Sequence, residues 1–159
     1  SCGHPDHAQW RADYLAEYER CFNCDTVLFN GIDESIIELD KLGIQWGIIT
    51  NKPHTFTQRL VPKLGFSIMP AVVVSGDTCD EAKPSTKPMF YACDQINIAP
   101  QHCLYVGDAE RDMQAGKNAG MKTVLVNWGY IADTDPVDQW PADVSVDTPI
   151  QILDLLNTL

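Results

Sequence analysis

The stretch LYVGDAERD, residues 104–112, decides the reading of the fold, and GIITNKP, residues 47–53, repeats its logic. Each is a short apolar run that stops on small polar or acidic residues and leads into a helix-like stretch. Such a pattern predicts a buried strand delivering side chains to the carboxyl edge of a parallel sheet, where open α/β folds bind ligands. Lys83-Pro84 lies between the two stretches. A Thr, a Lys and two Asp brought to one sheet edge point to phosphate together with a divalent cation.

Working outward, apolar spacing predicts helices over residues 7–22, 32–42, 55–64, 88–96, 110–119 and 149–156. Strands are expected at 45–50, 71–75, 102–106 and 122–127, with a short edge strand at 144–146. Gly43, Gly65 and Gly120 stand where helix C-caps belong. Residues 23–30 read as a connector, and residues 76–85 and 128–141 as polar loops. The order is helix, helix, then alternating strand and helix. It predicts an α/β fold with a parallel sheet, helices on both faces and right-handed crossovers.

The bulk properties narrow the function. A chain of 159 residues with 45% hydrophobic content predicts one domain with a real core. No apolar run is long enough to cross a bilayer. The net charge of −11, with sparse and scattered basic residues, argues against nucleic-acid binding through phosphate contacts. An anionic substrate would need a cation and a lysine to reverse that field locally. Of the six cysteines, Cys93 falls in a helical pattern and Cys103 opens a strand, as free thiols in a core do. Cys21 and Cys24 have C-x-x-C spacing without a second ligand pair, which leaves a metal or redox role open. A reducing cytoplasm fits this usage. Residues 1–8 show no signal-peptide pattern, and a first residue other than Met leaves processing, tagging or truncation open.

Asp108 ends a strand and Asp112 follows one helical turn later, so both carboxylates can face one side. Hard oxygen ligands beside phosphate suit Mg²⁺. The plainer alternative is a helix cap and a solvated first-turn acid. Gly107, just before, permits close backbone approach. Thr50 and Asn51 offer a hydroxyl and backbone N–H groups at a strand-to-helix turn, suited to phosphate oxygens or to an ordinary cap. Lys83 is either a phosphate partner or a surface charge, and it is preferred over Lys87 because Lys87 should begin the next helix. Lys52 is a weaker candidate. His4, His7, His54 and His102 have no ligand spacing. Ser75 and Ser85 lack a nucleophile elbow. The glycines form no Walker-type or dinucleotide-type loop.

Together LFNGIDESIIEL (28–39), GIITNKP, VVSGDTCDEAKP (73–84) and LYVGDAERDMQAGKNAGMKTVLVNWGY (104–130) resemble the haloacid dehalogenase (HAD) superfamily, in its phosphoglycolate phosphatase-like branch. The resemblance runs over residues 28–156. It implies a three-layer Rossmannoid fold and a Mg²⁺-dependent phosphatase acting through an aspartyl-phosphate intermediate. By the same resemblance Thr50 hydrogen-bonds the phosphoryl group, Asn51 adds a backbone contact and Lys83 neutralises charge on phosphate and nucleophile. Asp108 is the implied metal ligand, and Asp112 its companion or the residue orienting the metal's water.

One part of the family pattern is unmatched in residues 1–45: a strand ending in two closely spaced aspartates, the nucleophile and the general acid/base. Asp133-Thr134-Asp135 has similar spacing but follows no apolar strand. The chain therefore resembles an N-terminally truncated phosphatase, lacking its first central strand and most of a helical cap. Residues 1–26 would be a remnant of the cap and residues 27–159 an incomplete core. The resemblance places the unmatched strand between the one ending at Thr50 and the one ending at Gly107. It implies an active longer enzyme and an inactive chain alone. The expected substrate is a small phosphorylated metabolite, phosphoglycolate first. N-acetylmuramic acid 6-phosphate, other sugar phosphates and nucleotides are alternatives, and neither nucleic acid nor membrane is an expected partner. A receiver-like or non-catalytic binding module is the reading from another class. Oligomeric state is left open.

Overall fold

The computed structural model describes residues 26–156 together with Asp13. The expected helix over 7–22, the cap remnant, and Cys21 and Cys24 lie outside the described residues. The described chain runs α1 (Ile32–Lys41), β1 (Gly47–Ile49), α2 (His54–Leu60), β2 (Val72–Val74), α3 (Lys87–Ile96), β3 (Leu104–Gly107), α4 (Glu110–Asn118), β4 (Lys122–Val126), β5 (Val144–Val146) and α5 (Gln151–Leu155).

Local chemistry sets the boundaries. α1 carries Asp33 and Glu34 in its first turn and Lys41 in its last, matching the helix dipole. The helix expected over 55–64 ends at Leu60 and tightens into a 3₁₀ turn, Val61–Lys63. Pro62 explains the change, because it offers no N–H to an α-helical ladder. A second 3₁₀ turn at Pro100–His102 delays β3 to Leu104, later than the sequence pattern suggests. Asn97 closes α3 in the left-handed conformation at φ 56°.

Every strand pairing among the described residues is parallel. β1 pairs with β2, Ile49 opposite Val74. β3 pairs with β4 and β4 with β5, Gly107 opposite Leu125 and Val126 opposite Val146. The described strands form two sheets, β1-β2 and β3-β4-β5, and the break falls where the resemblance puts the unmatched central strand. Among the described residues, β1 and β3 share no ladder.

The core bridges that division. Met89 and Cys93 of α3 pack with Tyr105 of β3, Ala115 of α4, Ala119 and Met121, with Ile49 of β1 against them. The alternate face of β4, Val124 and Val126, packs with Val146, Ile152 and Leu155. Period-two alternation along β4 thus serves helices on both sides, giving three layers. Burial along KTVLV is nearly continuous, as a strand covered on both faces requires. No helix among the described residues is long and apolar enough to cross a membrane.

Candidate active site

The carboxyl ends of β1 and β3 open onto one cavity of about 490 Å³. Thr50, Asn51, Lys83, Tyr105, Asp108 and Asp112 line it. Every site residue expected from the sequence therefore meets at one place. The two strands supply their own terminal residues, while Lys83 arrives from the loop after β2.

Lys83 is the centre of the arrangement. Only 8% of its side chain is exposed, and the Asp112 side chain beside it is 7% exposed. Nζ donates to the Ile49 carbonyl at 2.8 Å and to the Tyr105 hydroxyl at 3.0 Å. It also lies 2.8 Å from Asp112 Oδ1, an ion pair by distance. That oxygen nevertheless receives no hydrogen bond, although it is buried. The Lys83 backbone is pinned by the Asn51 amide. Nδ2 donates to the Lys83 carbonyl at 2.9 Å, and Lys83 N–H donates to Oδ1 at 3.1 Å.

Thr50 continues the β1 ladder, its N–H donating to the Val74 carbonyl at 2.9 Å. Its hydroxyl accepts the Lys52 N–H at 3.2 Å, closing a tight turn. The first helical turn beyond is capped from another loop, with His54 N–H donating to Asp77 Oδ1 at 2.7 Å. Neither Thr50 nor Asn51 caps α2 with its side chain.

The carboxylates depend on two glycines. A Cβ at Gly107 would stand 2.6 Å from Asp112 Cβ, inside any tolerable contact. A Cβ at Gly129 would collide with the Asp108 side chain. Asp108 Oδ2 accepts the Tyr130 N–H at 2.8 Å. The plain alternative of a helix cap for Asp108 does not hold, since α4 begins after Ala109 and has no side-chain cap bond. Asp112 is buried rather than a solvated first-turn acid.

The donor set suits a hard divalent cation. Asp112 Oδ1 is a buried carboxylate oxygen whose one charged neighbour is the Lys83 ammonium at 2.8 Å, and its remaining lone-pair capacity suits a hard cation. No cluster of three or more His, Cys, Asp and Glu with metal-holding geometry occurs among the described residues. A cation held by Asp108 and Asp112 would take its remaining ligands from water or bound anion, as Mg²⁺ commonly does. Burial, followed by the charge of Asp112, pushes the Tyr105 hydroxyl well above its usual range. It stays a neutral phenol, able to accept from Lys83.

Lys87 begins α3 and pairs outside the cavity with Asp80 and Glu81, at 2.8 and 2.6 Å. These two acids push its ammonium above the usual range. The preference for Lys83 is thereby explained in structural terms. Sequence reasoning missed Tyr105, Arg111 and Phe56 as cavity lining and the Tyr130 N–H on Asp108. Tyr105 did leave a signal, because a tyrosine inside a buried apolar run must find a partner for its hydroxyl.

This is a parallel α/β protein whose separated strand ends, the loop after β2 and the first turn of α4 bring a threonine, a lysine and two acids to one cavity. The chain belongs to the haloacid dehalogenase-like hydrolase family, whose model matches residues 3–126. It is similar to a phosphoglycolate phosphatase of Xanthomonas campestris pv. campestris (strain 8004), 41% identical over 141 residues, covering 88% of this chain and 63% of the relative. It is also similar to the N-acetylmuramic acid 6-phosphate phosphatase of Pseudomonas aeruginosa, 35% identical over 153 residues, covering 96% and 68%. The chain thus spans between 63% and 68% of the length of these two relatives. Among solved structures, a predicted phosphoglycolate phosphatase from Haemophilus somnus shares the fold, with a TM-score of 0.83 at 24% identity, covering 96% of this chain and 68% of that one. A hydrolase from Pseudomonas syringae does so with a TM-score of 0.77 at 23% identity, covering 98% and 71%.

Proposed function

We propose that this chain is the larger part of a Mg²⁺-dependent phosphatase that hydrolyses a small phosphomonoester through an aspartyl-phosphate intermediate. The observation that carries the reading is the single cavity where Thr50, Lys83, Asp108 and Asp112 meet between the ends of β1 and β3. Thr50 and the N–H groups of its turn bind phosphoryl oxygens. The Lys83 ammonium, nearly desolvated, neutralises their charge, and this is worth more in a dry site than in water. Asp108 and Asp112 would hold Mg²⁺, which supplies charge neutralisation at the transferring group when bound. Residues 1–26 form the cap remnant, and residues 27–159 the core.

The nucleophilic aspartate is not assigned to any residue of this chain. Among the described residues β1 and β3 share no ladder, and the resemblance puts the strand bearing it between them. On this reading the longer protein is the enzyme, and the chain alone binds phosphate without turnover. Phosphoglycolate is the first substrate to test, and N-acetylmuramic acid 6-phosphate the second, following the names of the relatives.

Phosphate release from both esters, with Mg²⁺ or with chelator, is the deciding assay. It should be run on the 159-residue chain and on the same chain preceded by the N-terminal segment of the Xanthomonas relative. Mg²⁺-dependent multiple turnover only by the extended protein is expected. Robust turnover by the shorter chain would remove the claim that it is inactive alone. No turnover by either, or retention of one phosphoryl group as in a receiver, would remove the phosphatase reading. In the active protein Asp108→Asn should weaken Mg²⁺ activation, and Lys83→Ala should lower turnover by about two orders of magnitude, the scale of losing one preorganised charge.

A further inference from the structure

The Lys83 ammonium is useful to an anion only if its direction is fixed, and two side chains from which no hold on Lys83 was expected fix it. The first is Asn51. Its amide meets both the N–H and the C=O of Lys83, at 3.1 and 2.9 Å, so it reads that peptide segment as a strand partner would. Because Asn51 directly follows Thr50, the clamp ties the Thr50 turn to the loop that carries Lys83. The second is Tyr105. Its hydroxyl accepts from Nζ at 3.0 Å, and its ring centroid lies 5.6 Å from the same nitrogen. Tyr105 belongs to the core shared by α3, β3 and α4, so its position is set by packing. A rigid phenol therefore holds the head of the lysine, while an amide holds its backbone.

We infer that Asn51 and Tyr105 are positioning residues for Lys83, aiming its ammonium into the cavity before any anion arrives. The inference rests on the proposed function for its purpose, but its geometry stands without it. A lysine side chain left free loses much of its rotamer entropy on binding, and one already held does not. The two contacts act on different parts of the residue, so each can be removed separately. Tyr105→Phe keeps the ring and deletes only the acceptor. Asn51→Ala frees the backbone and leaves the ammonium partners in place.

The test is NMR of the 159-residue chain with ¹⁵N,¹³C-labelled lysine, the Lys83 signals being assigned by their loss in Lys83→Met. Proton exchange of the Lys83 ammonium and the affinity for inorganic phosphate are both read, with thermal unfolding as a control. In the unsubstituted chain the ammonium protons should exchange slowly. Tyr105→Phe should speed that exchange and weaken phosphate binding about tenfold, the size of one lost hydrogen bond to a charged group. Asn51→Ala should shift and broaden the Lys83 backbone amide and weaken phosphate binding by a similar factor. Unchanged ammonium exchange in Tyr105→Phe, or an unmoved Lys83 amide in Asn51→Ala, overturns the inference, as does a fast-exchanging ammonium in the unsubstituted chain. If that chain shows a protected ammonium but binds no phosphate, the functional reading fails while the positioning result stands.

Discussion

The β1-β2 side and the β3-β4-β5 side of this molecule are built to different standards. β4 is buried along four consecutive residues, with Thr123 against Gly116 of α4 on one face and Val124 and Val126 packed with Ile152 and Leu155 of α5 on the other. β1 and β2 are three residues each, and Gly47 and Val73 remain exposed. The better-buried side presents the carboxylates Asp108 and Asp112, each fitted against a glycine. The thinner side presents Thr50, Asn51 and, through a loop, Lys83. What joins them is one apolar layer and one desolvated cation. The difference teaches that the site is itself a structural joint: Lys83 touches Ile49 on one side and Tyr105 and Asp112 on the other.

The sharpest way to break that joint is Lys83→Met. It strands Asp112 as a buried charge without its cation, and removing one partner of a buried pair costs about 3–5 kcal/mol. Urea unfolding at neutral pH measures the loss. Adding Asp112→Leu should recover most of it, because the stranded charge then disappears. Lys87→Met supplies the contrast. Its pairs with Asp80 and Glu81 are exposed and solvent-screened, so the same deletion should leave the unfolding midpoint close to that of the parent. Equal losses at the two lysines would mean that Lys83 does not join the halves.

Next comes the apolar part of the joint. Met89 is completely buried where α3 meets Tyr105 and α4. Met89→Ala should destabilise by about 2–5 kcal/mol, from lost burial plus an unfilled cavity. Met113, equally buried, lies in α4 on the better-covered side. Met113→Ala should cost a similar amount but leave hydrogen exchange in β1 and β2 untouched, whereas Met89→Ala should speed it. Identical exchange patterns in the two variants would erase the distinction between halves.

Much of this was legible in the sequence because strand period, glycine caps and acidic strand ends are local signals. The alternation of strands and helices gave the parallel order, and Val144–Val146 was found at its observed bounds. LYVGDAERD placed Asp108 and Asp112 correctly because a strand end and one helical turn fix their spacing. Lys83 was separated from Lys87 by helix position alone. The division into two sheets could be read only from the resemblance, since hydrogen-bond pairing is a long-range property. Asn51's grip on Lys83 spans 32 residues, and no local pattern announces it. The same holds for Tyr130, whose N–H reaches Asp108 across 22 residues.

The smallest expected effect lies wholly within the better-built side and tests whether its polar contacts matter beside its packing. Asp143 precedes β5 and links α4 to β4. Oδ1 pairs with Lys117, and Oδ2 accepts the N–H of the fully buried Thr123 at 2.9 Å. The Lys117 ammonium, then the Thr123 N–H, hold the Asp143 carboxyl below its ordinary range. The folded-state value is thus depressed relative to the unfolded chain. The carboxylate therefore stabilises the fold above about pH 4, the unfolded value, and loses that contribution as pH falls through the folded value. Asp143→Asn should cost about 1 kcal/mol at pH 7, since the Lys117 pair is partly exposed. The gap between variant and parent should then shrink steadily below pH 4. Unfolding midpoints at pH 7 and at acid pH measure it. A gap that stays constant with pH would show that Asp143 acts through shape rather than charge, leaving packing as the sole support of that side.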